Sequence, residues 1–425
     1  MITSAKGMRD ILPQEQGYWD MIENVVKGTA AKFTFRRIRT PVLEKTELFV
    51  RGVGKQTDIV KKEMYSFKTK GGDELTLRPE GTAPIMRAYL ENGMKAWVQP
   101  VKLYYFDPFF RHEQPQHARY RQFYQIGFES IGMGGSAVDA ELILAAHYML
   151  EQLGLDGYEF QVNTLGDGLC QQPYLSSVHE YLKSNKKSLC GECVERSAKN
   201  PLNVFDCKEE KCQKVAQTAP KMIDALCEAC RDNFKEVLEL LDELEVPYSL
   251  NPFVVRGLEY YTRTVFEIWV LREGKLDSRS AVGGGGRYDK LSKQLGGEEI
   301  LGSGFALGVE RILEVLKEKG IKKAPFSQKA NVFIAQLGFQ AKKRSLRLFL
   351  EFLNQGIMVQ ASFARDSLSS QLRVADKLGV EYAVILGEKE LSDKSIILRD
   401  MKTGNQETLE MKDLIPELKN RLNIL

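Results

Sequence analysis

Histidine and tryptophan are scarce in this 425-residue chain, with four and three copies, and its formal net charge is only +3. A balance so close to neutral excludes polyanion binding by the whole surface, so any nucleic-acid contact must come from local patches. Long apolar runs are missing. Stretches such as AELILAAHYML fall short of the roughly 20 residues a membrane-spanning helix needs, which predicts no membrane partner. The opening MITSAKGMRDILPQEQ has no apolar core of a secretory signal, so a cytoplasmic protein is expected. Two common phosphate-binding signatures are also missing. There is no G-x-x-x-x-G-K-[ST], GVGKQTD having the wrong spacing, and no strand-bounded G-x-G-x-x-G.

Hydrophobic residues at 43% and charged residues at 28% describe a globular protein, and the length predicts two or three domains. Apolar spacing predicts a helix over 14–35, running into a β-like stretch through 54. A strand ends near Pro79, and a helix follows with Thr82 as N-cap and Pro84 in its first turn. Residues 99–131 read as two strands around a polar loop, and a helix spans about 137–153. The segment 170–250 is rich in Lys, Glu and Cys and reads as an inserted helical module. The polar stretch 320–330, with Pro325, predicts a linker into a final domain alternating strands and helices.

Charge is concentrated in RHEQPQHARYRQFYQ, residues 111–125. Strand alternation puts Arg119, Arg121, Phe123, Gln125 and Glu129 on one face, with Arg111 and Glu113 ending the preceding strand in the same phase. Such a face offers guanidinium forks for phosphate, an aromatic plate for a base, and an amide and carboxylate for a polar ligand. The other face is apolar: Tyr120, Tyr124, Ile126, Phe128. In VRGLEYYTRTVFE, Arg256 stands beside Gly257, where backbone and ligand can come close. Tyr260 and Tyr261 would point to opposite faces of a strand, so only one would line a pocket. AVGGGGRYDKL reads either as a flexible turn or as a strand lying against a flat ligand. GSGFALGVERI leads small residues into a helix bearing Glu310 and Arg311.

Seven cysteines without an export signal point to reduced thiols or a metal. Cys190-x-x-Cys193 and Cys227-x-x-Cys230 have the knuckle spacing of a tetrahedral zinc site, with Cys207 or Cys212 as substitute ligands. Free buried thiols are the other reading.

In order along the chain, KGMRDILP, TPVLEKTELFVRGVG, LRPEGTAP, FRHEQPQHARYRQFYQIGFE, VRGLEYYTRTVFE, GGGGRYDKL and GFALGVERI resemble the signatures of the histidyl-tRNA synthetases, class II aminoacyl-tRNA synthetases. SFARDSLSSQLRVADKLGVEYAVILGEKEL resembles the anticodon-binding domain of that family. The resemblance implies an α+β catalytic domain over 1–325, with an antiparallel sheet flanked by helices. A Cys-rich helical insertion over 170–250 would interrupt it, and an α/β anticodon-binding domain would fill 326–425. It implies a homodimer that uses L-histidine, ATP with Mg2+, and tRNA(His). Arg111 would grip the α-phosphate and Arg256 would stabilise its charge during attack. Glu113, Arg119, Phe123 and Arg311 would complete the ATP site. Glu80, Gly81, Thr82, Gln125, Glu129, Tyr260 and Tyr261 would hold histidine, and Gln116 and Arg121 would meet the tRNA acceptor end. Glu259, Gln114 and Ala118 depart from the family pattern of Asp, Arg and Gly. A non-catalytic relative serving histidine biosynthesis would lack the ATP residues and the last domain, and both are present here.

Overall fold

The structure, a computed structural model, describes residues 2–114, 119–197, 201–205, 207, 209–255, 257–271, 281–322 and 330–424. The chain divides into two units, Met1–Lys323 and Ala324–Leu425. No helix among the described residues is long and apolar enough to cross a membrane.

The first unit is built on an eight-stranded sheet, counted among the described residues. Its strands are β1 (Arg36–Arg37), β2 (Val101–Phe110), β3 (Gln122–Ile131), β4 (Tyr158–Thr164), β5 (Tyr248–Leu250), β6 (Thr262–Val270), β7 (Ala281–Arg287) and β8 (Gly302–Gly308). The order across the sheet is β1-β2-β3-β8-β7-β6-β4-β5. The middle pairings are antiparallel, and a short parallel strand closes each edge.

One face of this sheet is covered by α1 (Pro13–Lys32), α3 (Ser136–Gln152) and α8 (Val309–Glu318). Tyr104, Ile126, Phe128 and Phe305 point into that core, and Trp19 from α1 meets the Tyr124 ring edge-on at 5.0 Å. On the other face α2 (Thr82–Glu91) packs Ile85, Met86 and Tyr89 against Leu103, Tyr105 and Phe109. The period-2 reading of residues 123–129 therefore holds: Tyr124, Ile126 and Phe128 face one core, and Phe123, Gln125 and Glu129 lie on the other face. The predicted β-like stretch through residue 54 differs, because Thr46–Gly52 is a helix with Leu48 and Phe49 buried. Its apolar pair points into the second core, so packing set the conformation there.

The glycine tract is strand β7, not a turn. A Cβ on Gly283 or Gly285 would meet the carbonyl oxygens of Ala306 and Gly304 at 2.3 and 2.2 Å, so the small residues let two strands approach each other.

Between β4 and β5 the chain is helical. α4 (Gly168–Ser184), α5 (Gly191–Ser197), α6 (Glu210–Gln217) and α7 (Glu228–Glu243) follow in turn. A small core of Tyr174, Val178, Leu182, Val204 and Met222 forms there, interspersed with Cys170, Cys193, Cys212 and Cys230.

The second unit carries a five-stranded sheet among the described residues, ordered Val359–Ala361, Val332–Gln336, Tyr382–Leu386, Ser395–Asp400, Gln406–Glu410. The first three strands are parallel and the last two antiparallel. Ala375 is buried, with Leu368, Leu372 and Leu378 packed against the same cluster, as their spacing predicts. Buried Gln371 locks its helix to the sheet, its Nε2 donating to Gln336 O at 2.7 Å while its Oε1 accepts from Gln336 N at 3.0 Å.

Candidate active site

The register of β2 and β3 sets the floor of the site. Phe109 lies opposite Phe123, Asp107 opposite Gln125, Tyr105 opposite Gly127, and Leu103 opposite Glu129. On the other side of β3, Gly308 faces Gln125 and Gly304 faces Glu129. A Cβ on Gly304 would lie 1.8 Å from a Glu129 oxygen, so the missing side chain is what leaves room for that carboxylate.

Glu129 is 1% exposed. Its Oε1 accepts from the Thr82 hydroxyl at 2.9 Å and its Oε2 from the Tyr288 hydroxyl at 2.6 Å. Burial outweighs these two donors and pushes the carboxyl up to about 8. Glu80, also buried, accepts from the backbone N–H groups of Thr82 and Ala83 at 2.8 and 3.0 Å. Thr82 is thus not the N-cap that its sequence position suggests. Gly81 takes that place, the Glu80 carboxylate satisfies the free N–H groups, and the Thr82 hydroxyl is left to join Glu129. Burial raises the Glu80 carboxyl as well. A Cβ on Gly81 would meet the Tyr105 ring at 2.4 Å, so this residue admits the tyrosine beneath the site.

Tyr260 and Tyr261 precede β6 instead of lying in it, so the expected opposite orientation does not occur. Both are buried and their rings sit 4.7 Å apart, because a turn frees them from strand alternation. The Tyr260 hydroxyl donates to Glu80 at 3.4 Å, and its ring meets Tyr288 edge-on at 5.8 Å. Glu80, Thr82, Glu129, Tyr260, Tyr261 and Tyr288 therefore form one buried polar cluster. Tyr288 escaped the sequence reading although it lies in the quoted GGGGRYDKL, since nothing local shows that its hydroxyl reaches past β8 to β3.

A second group adjoins it. β2 ends at Phe110, one residue before Arg111, so Arg111 and Glu113 lie beyond the strand. Arg111 N still donates to Arg121 O at 2.9 Å, and its Nε donates to Pro79 O at 2.9 Å. These bonds place its guanidinium over the Phe123 ring, 5.5 Å from the centroid, with Glu113 at 3.7 Å. Arg119 is exposed and pairs with the other Glu113 oxygen at 3.7 Å. Arg121 precedes β3 and is tied inward, its Nε donating to Glu113 O at 3.1 Å and its N to Gly7 O at 2.7 Å. Gln125 is half-buried on the same strand face. Arg311, on α8, donates to Ala281 O, and burial followed by the nearby Arg119 lowers it to about 10. A guanidinium depressed by burial and like charge is poised for an anion. Beside it Glu310 takes up the N–H of Tyr124 at 3.0 and 3.1 Å, opposite Pro108, and burial lifts its carboxyl to about 7.

Arg256 and Gln116 lie outside the described residues, as does Ala118. Glu259 donates its N–H to Val53 O at 3.0 Å, and its carboxyl lies against Gly54.

In the insertion the structure corrects the expected metal ligands. Cys190 and Cys193 do not meet Cys227 and Cys230. Each knuckle joins a different set: Cys190, Cys193, Cys207 and Cys212 form one, and Asp167, Cys170, Cys227 and Cys230 the other, with ligand atoms of each set within 4.8 Å of one another. The short helices α5 and α6 close locally on the first knuckle, whereas α4 and α7 carry the second back to the sheet. Four sulfurs bound to one zinc stand about 3.8 Å apart, so the four-thiol set fits that ion. The N–H of Cys193 donates to Cys190 Sγ at 3.4 Å, and that of Cys190 to Cys212 Sγ at 3.2 Å. The first of these bonds leads in lowering the Cys190 thiol to about 7, while burial raises Cys193.

The profile described as histidyl-tRNA synthetase matches residues 7–312, and one described as an anticodon-binding domain matches 331–421. A histidine–tRNA ligase of Dehalococcoides mccartyi is 44% identical over 422 residues, covering 99% of this chain and 100% of that protein. The crystal structure of the apo Staphylococcus aureus histidyl-tRNA synthetase superposes with a TM-score of 0.81 at 33% identity, covering 99% of this chain and 100% of that one. A Bacillus halodurans chain described as an ATP phosphoribosyltransferase regulatory subunit/histidyl-tRNA synthetase gives 0.62 at 19% identity, over 91% and 98%, a likeness of fold alone.

Proposed function

The chain belongs to the histidyl-tRNA synthetase family and is a histidine–tRNA ligase, and from that premise we propose how its residues divide the work. It joins L-histidine to the 3′ end of tRNA(His) in two steps. In the first, a carboxylate oxygen of histidine attacks the α-phosphorus of MgATP and pyrophosphate leaves. In the second, a ribose hydroxyl of the terminal nucleotide attacks the acyl carbon and AMP leaves. Both are displacements, so placement and charge stabilisation lower the barrier.

The observation that carries the residue assignment is the junction of two groups on one sheet face: the buried Glu80–Thr82–Glu129 cluster and the Arg111 guanidinium above Phe123. Glu80 and Thr82, with Gly81 shaping the turn, receive the amino group of histidine, and Gln125 its amino and carboxylate end. Glu129 accepts from the imidazole N–H, with Tyr260 and Tyr261 walling the ring. Adenine stacks on Phe123 beside Glu113. Arg111 holds the α-phosphate, with Arg119 at its side, and Arg311 the γ-phosphate. Arg256 acts on the α-phosphate during attack, and Gln116 and Arg121 belong to the tRNA-facing loop. Arg256→Ala is expected to lower histidine-dependent pyrophosphate exchange by about 100-fold or more while histidine still binds by calorimetry. Full-rate exchange in that variant would remove Arg256 from the site.

The second unit takes the anticodon loop of tRNA. Arg373 and Lys377 are exposed there, whereas Arg344 pairs with Glu351 at 2.8 Å and Lys342 with Asp366 at 3.1 Å. The protein works as a cytoplasmic homodimer, which sedimentation would check. Cys190, Cys193, Cys207 and Cys212 hold a structural zinc ion, supported by their mutual distances and by the N–H groups turned toward their sulfurs.

A further inference from the structure

The second cluster, at the neck of the insertion, has no part in the chemistry above. α4 leaves the sheet directly after Leu165-Gly166-Asp167, and α7 brings the chain back toward β5. Each helix supplies two donors in the same pattern: the residue at its N-cap and the residue three further on. For α4 these are Asp167 and Cys170, and for α7 Cys227 and Cys230. That spacing puts both donors of a pair on the first helical turn, on one side of the axis.

The local backbone is arranged around these groups. The N–H of Cys227 donates to Cys170 Sγ at 3.1 Å, across the two helices. Asp167 Oδ1 accepts from the N–H groups of Leu169 and Cys170, which fixes the carboxylate. A Cβ on Gly166 would stand 2.6 Å from the Cys170 Cβ, so glycine there lets the ligand side chain approach. Cys170 and Cys230 are buried in a small core, separate from the two that flank the sheet, in which cysteines are interspersed among the apolar side chains. Small cores of this kind are commonly completed by a metal or by disulfides, and no disulfide joins these cysteines.

We propose that Asp167, Cys170, Cys227 and Cys230 hold a second zinc ion, distinct from the four-thiol site of the insertion, which clamps the two ends of the insertion together at the catalytic sheet. Three thiolates and one carboxylate oxygen make a tetrahedral donor set suited to zinc. Binding requires release of the thiol protons, so the ion replaces them and no oxidation is involved.

The clamp sits against the segment that carries the site tyrosines. Arg263 N donates to Gly166 O at 2.7 Å, and its guanidinium lies 3.7 Å from Asp167 Oδ2. Gln171, one residue past Cys170, donates to Tyr261 O at 3.5 Å and accepts from Lys290 Nζ at 3.0 Å. An ion at the neck thereby fixes where α4 starts relative to residues 261–263.

The test is metal stoichiometry of the full chain purified without chelator. Two zinc equivalents per chain are expected, falling to one in Cys227→Ser/Cys230→Ser and to one in Cys193→Ser/Cys212→Ser. One equivalent or none in the unaltered chain, another metal in place of the second zinc, or no loss in Cys227→Ser/Cys230→Ser would overturn the proposal. Asp167→Asn covers the case of a double variant that fails to fold, since asparagine still caps α4. It should surrender one zinc to a chelator at least 10-fold faster than the unaltered chain, with earlier proteolysis within 168–243. Unchanged release of both ions would count against Asp167 as a ligand.

Discussion

The two faces of polarity in this molecule, the sheet floor and the insertion, are held by opposite means. On the floor, Glu80 and Glu129 are buried under a large aromatic core, and backbone N–H groups, a threonine and tyrosines satisfy their oxygens. Protein donors alone fix each carboxylate. In the insertion the core is smaller, and Cys170, Cys193, Cys212 and Cys230 are buried within it. Sulfur clusters of that kind satisfy one another poorly and suit a shared cation. The sheet holds its buried carboxylates with donors of its own, whereas the insertion gathers thiols that a shared cation would satisfy.

The sharpest way to break this contrast is at Arg111, which hydrogen bonds to two backbone carbonyls hold at the edge of the floor. Arg111→Ala should lower the rate of adenylate formation by about 100- to 1,000-fold, with thermal stability nearly unchanged, as measured by pyrophosphate exchange and a melting curve. Next is the room made for Glu129. Gly304→Ala puts a methyl group on the carboxylate, and the KM for histidine should rise by at least about 10-fold with ATP binding little affected. Tyr288→Phe removes one donor from Glu129, a hydrogen bond to a neutral carboxyl being worth about 0.5–1.5 kcal/mol, and should raise KM by a smaller factor, up to about 10-fold.

How much of this was legible beforehand follows from the range of the interactions. Phe123, Gln125 and Glu129 could be placed on one face because a strand repeats every two residues, and β3 obeys that rule from Gln122 onward. Arg111 lies one residue beyond the end of β2 yet keeps the face that alternation predicts, over Phe123, whereas Tyr260 and Tyr261 lie in a turn before β6, where alternation no longer applies. Cys227 and Cys230 were given the wrong partners because spacing fixes a knuckle but not which distant residues close on it. Asp167 and Cys170 lie 57 residues or more before Cys227 and signal nothing by themselves. Tyr288 likewise reaches Glu129 over 159 residues of sequence.

A further effect is expected on the pH dependence of stability, apart from the rate of the chemistry. The Glu129 carboxyl titrates at its ordinary 4.5 in the unfolded chain and at about 8 when folded without ligand. Between those values the folded state holds the extra proton, so stability falls as pH rises, by up to about 1.4 kcal/mol per pH unit from this group. Below 4.5 and above about 8 its contribution to the slope disappears. Glu129→Gln cannot ionise and should show a flatter stability profile across that window in chemical denaturation. An unchanged slope would mean that the carboxyl is charged throughout.

The most direct measurement on the floor itself is exchange of labelled pyrophosphate into ATP by the purified chain without tRNA. Exchange should require histidine, saturate with it, and collapse in Arg111→Ala. Exchange that is absent with saturating histidine and MgATP, or that proceeds equally well with no amino acid, would contradict the assignment of this face to histidine activation.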